Sequence, residues 1–287
     1  MEPLISFIIT YHNEPEAFLR ACLESIQALP LAKDEVEIVV VEDGCEAPVQ
    51  HEFGEVKFLR QEQSGLSVAR NTGIETSQGL YIQFVDADDY LIPSAYERVL
   101  EELRKESYDL ILFKMTTEEK KCDKSPFSRE SSGSDFLLNR NLRAAAWGYA
   151  FKKEILGDLR FFPGLFHEDE LFTPQLFLRA KTLLELDTKA YFYRQHEGTI
   201  TSSKSPENIQ KRLNDIHFII NELCALRDSV LERRIRQLTV DYLQKTWTLT
   251  HSLRELRNRI SELREEGFVP LPICRYSLRY FLASLVV

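Results

Sequence analysis

Cysteine is scarce and scattered in this 287-residue chain: Cys22, Cys45, Cys122, Cys224 and Cys274, with no CxxC pair. An odd, dispersed set argues against a disulfide framework and a structural zinc site, and implies a reducing compartment. No apolar run reaches the roughly 20 residues that a membrane-crossing helix needs. The opening MEPLISFIIT carries an acid and no basic stretch, so a secretory leader is not expected and a cytoplasmic location is. Positive charge is also in deficit. With 36 Lys and Arg against 45 Asp and Glu, a formal −9, no broad basic surface is available for nucleic acid. The chain has no internal repeat and no low-complexity tract.

The deficit is uneven. From Ser205 onward 13 Lys and Arg face 10 Asp and Glu, a balance of +3, which leaves −12 for the preceding part. The length suits one large domain, or a domain with an appendage.

Apolar runs and helical periods alternate over the first 117 residues. LISFIIT (4–10), VEIVVVED (36–43), VKFLRQ (56–61), residues 80–86 and DLILFKMTT (109–117) read as strands. The near-continuous apolar runs among them are those of strands covered on both faces. Between them lie a helix capped by Asn13, with Glu16 three residues on and a stripe of Phe18, Cys22 and Ile26, a helix over 64–77, and one over 94–106 opened by Pro93. This βαβ order predicts an α/β fold, an open and mostly parallel sheet with helices on both faces. The polar stretch 118–134 reads as a surface loop, and FHEDELF (166–172) leads into a helix.

From about Pro206 to Glu266 the pattern is long helices. Ile209, Leu213, Ile216, Ile220 and Leu223 step by 4, 3, 4 and 3, and so do Leu249, Leu253, Leu256, Ile260 and Leu263. Such seams pack on each other or on another subunit, so a homodimer through these helices is one expectation. The expected organisation is a domain over 1–204, in halves 1–117 and 118–204, followed by a helical region over 205–287.

Three strands deliver polar groups to their carboxyl ends, where open parallel sheets bind ligands: Thr10-Tyr11-His12-Asn13, Glu42-Asp43-Gly44 and Asp86-Ala87-Asp88-Asp89. Were the last stretch extended, Asp86 and Asp88 would point one way and Asp89 the other. Two carboxylates side by side repel unless a cation joins them. Mg²⁺ or Mn²⁺ suits that place, because such ions take one or two protein carboxylates and complete their shell with water and phosphate oxygens. The plainer reading is an Asp-rich turn that merely solvates a strand end.

SFIITYHNEPEAFLRACLESI, EIVVVEDGC and SGLSVARNTGIETSQGLYIQFVDADDYL, followed by HEDELF and YFYRQHEGTIT, resemble in order and spacing the blocks of the family 2 glycosyltransferases, inverting enzymes with a Rossmann-like GT-A fold. The resemblance covers roughly residues 4 to 203 and implies a set of roles. Thr10, Tyr11 and Glu14 would hold the nucleotide base and ribose. Asp43 would accept a hydrogen bond from the base, which favours the N3–H of uracil and so a UDP-sugar. The family's usual Asp-Asp-Gly-Ser is here Glu42-Asp43-Gly44-Cys45, which leaves open which acid contacts the base. Arg70 and Asn71 match the ARNxG segment, whose arginine approaches the base. Asp86 would contact ribose or sugar, and Asp88 would carry the metal that bridges the phosphates. Asp169 matches the general base, with Glu168 beside it as a second acid. Arg194 and His196 lie where relatives place diphosphate or metal contacts. The acceptor implied is a hydroxyl of a glycan or a lipid-linked glycan.

Each of these residues has a plainer reading. Glu168-Asp169-Glu170 is also an acidic first turn favoured by the helix dipole, Arg70 a surface ion pair, and Trp147 a core aromatic as readily as an acceptor wall. His167 and Cys45 carry no assignment. The tail FVPLPICRYSLRYFLASLVV (268–287) alternates arginines with apolar residues, as a segment lying in a membrane interface does, or one packed on the preceding helices. Two rival functions are a phosphohydrolase, disfavoured because the DxD closes the fourth strand, and a nucleotide-sugar-binding scaffold with an impaired site.

Overall fold

The computed structural model describes residues 2–46, 54–118, 127–195 and 205–285. His196 and Cys122 lie outside them. In chain order come β1 (Ile5–Tyr11), α1 (Glu16–Gln27), β2 (Val36–Asp43), β3 (Val56–Gln61), α2 (Leu66–Thr76), β4 (Tyr81–Asp86), β5 (Tyr90–Leu91), α3 (Pro93–Leu103) and β6 (Leu110–Thr116). Then follow β7 (Ser128–Ser131), α4 (Gly133–Asn139), β8 (Tyr149–Lys152), α5 (Asp169–Arg179), β9 (Leu183–Phe192), α6 (Pro206–Ala225), α7 (Glu232–Thr250), α8 (Leu253–Glu265) and α9 (Leu278–Ser284).

The strands form one sheet in the order β3-β2-β1-β4-β8-β6-β9-β5, with β7 also on β9. β1 to β4 pair in parallel, as expected. Beyond them the sheet is mixed, not mostly parallel: β6 and β9 pair in parallel, but β8 runs antiparallel to both β4 and β6, and β5 and β7 are antiparallel to β9. β8 is the four residues YAFK, too short for any pattern to reveal its direction. The register puts Thr10 opposite Asp86 and Tyr11 opposite Glu42, so the polar strand ends meet at one edge.

Each face of the sheet has its own core. Phe7, Ile9, Leu19, Cys22, Tyr96 and Val99 fill the side under α1 and α3. On the other side Ile8, Phe84, Phe151 and Phe172 pack in one continuous cluster with Leu213 and Ile216 of α6 and Leu238 of α7. The C-terminal helices thus share the core of the sheet. The first helical seam is buried there, whereas in the second only Leu263 is buried and Leu253 is 58% exposed. The second seam is no single helix: His251 takes a left-handed conformation (φ 50°) that ends α7, and the Ser252 side chain accepts from Glu255 N to start α8.

Other local expectations are corrected too. Asn13 does not cap α1, which begins at Glu16 after Pro15; it sits at φ 59° and its Oδ1 accepts from Glu46 N at 3.1 Å. Part of the polar stretch 118–134 is the edge strand β7, whose alternating exposed and half-buried Ser128-Arg129-Glu130-Ser131 suits a sheet margin. In the tail, Val269, Leu271 and Tyr280 are buried and Arg279 pairs with Asp241, while Ile273, Leu278, Leu282 and Leu285 are exposed.

Gly133, the first residue of α4, lies so close to α5 that an added Cβ would sit 1.8 Å from the Phe177 carbonyl oxygen. Gly133→Ala should lower the urea midpoint at unchanged slope, by on the order of 1–3 kcal/mol. Gly148→Ala, where a Cβ meets nothing within 4 Å, should leave the midpoint within about 0.5 kcal/mol.

Candidate active site

β4 ends at Asp86, and Asp89 N donates to Asp86 O at 3.0 Å, so the chain turns instead of staying extended. The period-two expectation therefore does not apply. The turn gathers the carboxylates of Asp86, Asp88 and Asp89 within 4.8 Å of one another. Asp89 is buried, accepting from Tyr191 OH (2.8 Å) and from Arg194 N (2.7 Å). Burial, with Asp86 nearby, pushes its carboxyl up to about 8. Tyr191 OH also accepts from Asp86 N (3.2 Å), and its ring stacks on Trp147 at 4.5 Å. Trp147 is buried, as a packing residue is. The Arg194 side chain donates from Nε to Asp88 O (2.8 Å) and lies over the rings of Phe18 and Tyr90.

Arg70 occupies the middle of the site. Only 5% of its side chain is exposed; it donates to Glu168 Oε1 at 2.5 Å and to Asp86 Oδ1 at 3.1 Å, between the rings of Phe161 and Phe84. Burial opposes its charge, but Glu168 and Asp86 outweigh it and the guanidinium's proton is held more tightly than usual. Here Arg70 is a buried ion pair, not a surface one. It joins the aspartate turn to the acidic block. Asn71 beside it exchanges two hydrogen bonds of 2.9 Å with the Phe161 backbone, so its amide is spent on scaffold.

Along the same edge, Asp43 accepts from Gln61 Nε2 (2.9 Å), Ser64 N (2.7 Å) and Gly65 N (2.8 Å), which pins the loop entering α2. Tyr11 OH donates to Glu14 O (2.8 Å), and Glu14 Oε2 accepts from His12 N (2.6 Å), which folds the loop after Thr10. Cys45 is a packing residue whose thiol reaches Tyr11 O at 3.4 Å.

The acidic block is held from the C-terminal helices. Phe166 N donates to Asp215 of α6 (2.7 Å), Glu170 is ion-paired with Arg234 of α7, and His167 Nε2 is 3.2 Å from Lys245 Nζ of α7. No sequence pattern pointed to these three clamps, since their partners lie 49, 64 and 78 residues apart. Asp169, the first residue of α5, is half-buried, and burial among Glu168, Glu170 and Asp86 raises its carboxyl well above the usual range. Glu168 is committed to Arg70.

The aspartate turn fits a divalent ion by its donor chemistry. It offers only carboxylate oxygens, which suit Mg²⁺ or Mn²⁺ and not a thiophilic metal. Asp89 is buried with both oxygens accepting hydrogen bonds, whereas Asp86 and Asp88 are half-buried, which points to those two carboxylates as the ligands.

Two outcomes test this description. Arg70→Gln should cost on the order of 3 kcal/mol in urea unfolding, because it leaves buried carboxylates without their partner. His167 is depressed to about 4 from 6.5, by burial and then by Lys245. Its folded pKa lies below its unfolded one, so its contribution is full above pH 6.5 and is lost as pH falls toward 4. Solvent access limits the loss to roughly 1–2 kcal/mol. His167→Asn, which tolerates the same left-handed backbone (φ 61°), should therefore lose less stability than the wild type between pH 7 and pH 5.

Comparison with known proteins converges on one family. The glycosyl transferase family 2 model matches residues 6–157. The uncharacterized glycosyltransferase EpsJ of Bacillus subtilis is 27% identical over 222 residues, 70% of this chain and 64% of EpsJ. The poly(ribitol-phosphate) β-N-acetylglucosaminyltransferase TarS of Staphylococcus aureus is 26% identical over 219 residues, 71% of this chain and 38% of TarS. This chain thus spans under two thirds of either relative. A crystal structure of S. aureus TarS 1–349 with UDP-GlcNAc superposes with a TM-score of 0.70 at 21% identity, covering 94% of this chain and 81% of that one. A Pyrobaculum calidifontis mannosyltransferase with GDP-Man and Mn²⁺ gives 0.57 at 14% identity, covering 100% and 87%. With more than half its length matched by that family, the chain belongs to glycosyl transferase family 2 and has a GT-A fold.

Proposed function

We propose that this enzyme transfers a sugar, with inversion, from a UDP-sugar to a hydroxyl of a glycan or lipid-linked glycan, with Asp169 as general base. Residues 1–117 serve the donor and 118–204 the acceptor, at the cytoplasmic face of surface-polysaccharide assembly. Among the described residues no helix is long and apolar enough to cross a membrane. The exposed apolar residues of α9 favour a peripheral contact with that face.

The observation that carries the reading is the position of Asp169. Its carboxyl has a raised proton affinity and is tied through Arg70 and Glu168 to the aspartate turn. A base for a weakly acidic hydroxyl needs such affinity. In the step, the acceptor hydroxyl loses its proton to Asp169 and its oxygen forms a bond to the anomeric carbon. The bond to the diphosphate oxygen breaks and takes its electron pair with it. A divalent ion at Asp86 and Asp88, when bound, supplies Lewis-acid stabilisation of that leaving diphosphate. Arg194 adds positive charge beside the turn, and Glu168 holds Arg70 in place. Preference for UDP is supported by the UDP-GlcNAc in the TarS structure. Asp43 would then meet the base while sharing its oxygens with the α2 loop, near Thr10, Tyr11 and Glu14.

UDP with Mn²⁺ should raise the thermal midpoint, by about 2.7 kcal/mol of stabilisation at 100 times Kd, and EDTA or Asp88→Ala should abolish the shift. Asp169→Asn should keep the shift yet lose transfer by about 10²–10⁴-fold. Undiminished transfer in that variant would remove Asp169 as base, and a shift without transfer in the wild type would favour a binding subunit.

A further inference from the structure

The tail presents an apolar face that nothing in the described chain covers. Tyr280 and Ser284 are buried on the inner side of α9, and Leu278, Leu282 and Leu285, spaced i, i+4 and i+7, form the opposite stripe. These three leucines are 75%, 54% and 57% exposed, and Ile273 just before them is 67% exposed. Four of the ten large apolar side chains exposed among the described residues thus fall within residues 273–285. Exposed leucines scattered singly are ordinary, but a stripe of them marks a surface that meets a partner.

The charge around the stripe selects that partner. From Gly267 to Val287 there is no Asp or Glu, in a chain that has 45 of them. Arginines gather around Tyr276 instead. Arg233 lies over its ring at 4.4 Å, Arg236 donates to its hydroxyl at 2.9 Å, and Arg275 and Arg279 flank it in sequence. Arg236 is paired with Glu232 and Arg279 with Asp241, whereas Arg233 and Arg275 meet no carboxylate among the described residues. Four arginines against two acids leave a local balance of +2, while the whole chain carries −9.

That balance disfavours a second copy of this chain as the cover. A twofold contact sets one patch against itself, so the arginine cluster would face its own image. An anionic bilayer accepts both features, because apolar side chains enter the acyl boundary while guanidiniums stay at the headgroups. The helix is seated for this: Tyr280 OH donates to Pro272 O (3.1 Å), and the Arg279–Asp241 pair ties α9 to α7. We infer that the α9 face docks on an anionic lipid surface, with Ile273, Leu278, Leu282 and Leu285 immersed and Arg275 at the headgroup phosphates. Asp241 lies on the same helix as Arg234 and Lys245, so docking also orients the acidic block that those two cations hold. The inference deepens the peripheral contact proposed above and rests on it for which membrane is met.

Sedimentation with sucrose-loaded vesicles tests the face without any sugar transfer. At low salt the protein should partition onto vesicles of phosphatidylcholine with phosphatidylglycerol, and far less onto phosphatidylcholine alone. Leu278→Asp with Leu282→Asp should lower the partition coefficient at least about tenfold, and Arg275→Gln should lower it about fivefold. All three positions are exposed, so the urea midpoint should not move. No partition onto the anionic vesicles, or partition that the leucine pair leaves unchanged, would overturn the lipid face. Equal partition onto neutral vesicles would overturn its demand for anionic lipid. A dimer in sedimentation equilibrium that the leucine pair dissolves would put a second copy in the lipid's place. Vesicle binding without a UDP-dependent thermal shift would uphold this face while the donor reading fails, and the shift without vesicle binding would do the reverse.

Discussion

One buried guanidinium holds the site together. Arg70 joins Asp86 at the end of β4, 16 positions on, to Glu168 ahead of α5, 98 positions on. Burying an arginine is tolerated only with close carboxylate partners, and here the two carboxylates need it as much as it needs them. Without it, Asp86, Asp88, Asp89, Glu168 and Asp169 would crowd one sheet edge with nothing positive inside. Phe84 and Phe161 flank the guanidinium, with ring centroids 5.8 and 5.2 Å from its carbon, which keeps water away, adds a cation–π term and raises the strength of both ion pairs. Local sequence cannot carry this. The partners become neighbours only when the sheet has formed and α5 has docked.

The second constraint comes from the C-terminal helices. Arg234, Lys245 and Asp215 reach back to the segment 166–170 from α6 and α7, and the same helices bury the apolar side of α5. A helical region that looks like an appendage in sequence is therefore part of the wall that sets where Asp169 stands. Its basic balance has a local cause: some of those cations meet the acids of the preceding part.

What could be read in advance follows from how each feature is encoded. β2 matches its apolar run to the residue, because a doubly covered strand writes its burial into consecutive positions; β3 matches its range too, although as the edge strand it has no fully buried residue. The edge where Thr10, Asp43 and Asp86 meet follows from parallel register, and was legible. The direction of Asp89 was not, since a single backbone bond from Asp89 N to Asp86 O replaces extension by a turn. Nor were the tasks of Asn71 and Asp43, whose polar atoms serve a neighbouring backbone that sequence does not identify. The break at His251 was hidden for a similar reason. A helical period continues through it, and only the left-handed backbone shows that the seam is two helices.

The charge around the aspartate turn is mostly of one sign, and its consequences are linked. Around the aspartate turn the acids outnumber Arg70 and Arg194, so a bare diphosphate would meet like charge there and bind only with a cation of its own. The same crowding raises the proton affinity of Asp169, because ionising it adds one more negative charge beside Glu168, Glu170 and Asp86. The proposed base and the proposed cation-demanding donor site thus arise from one cause.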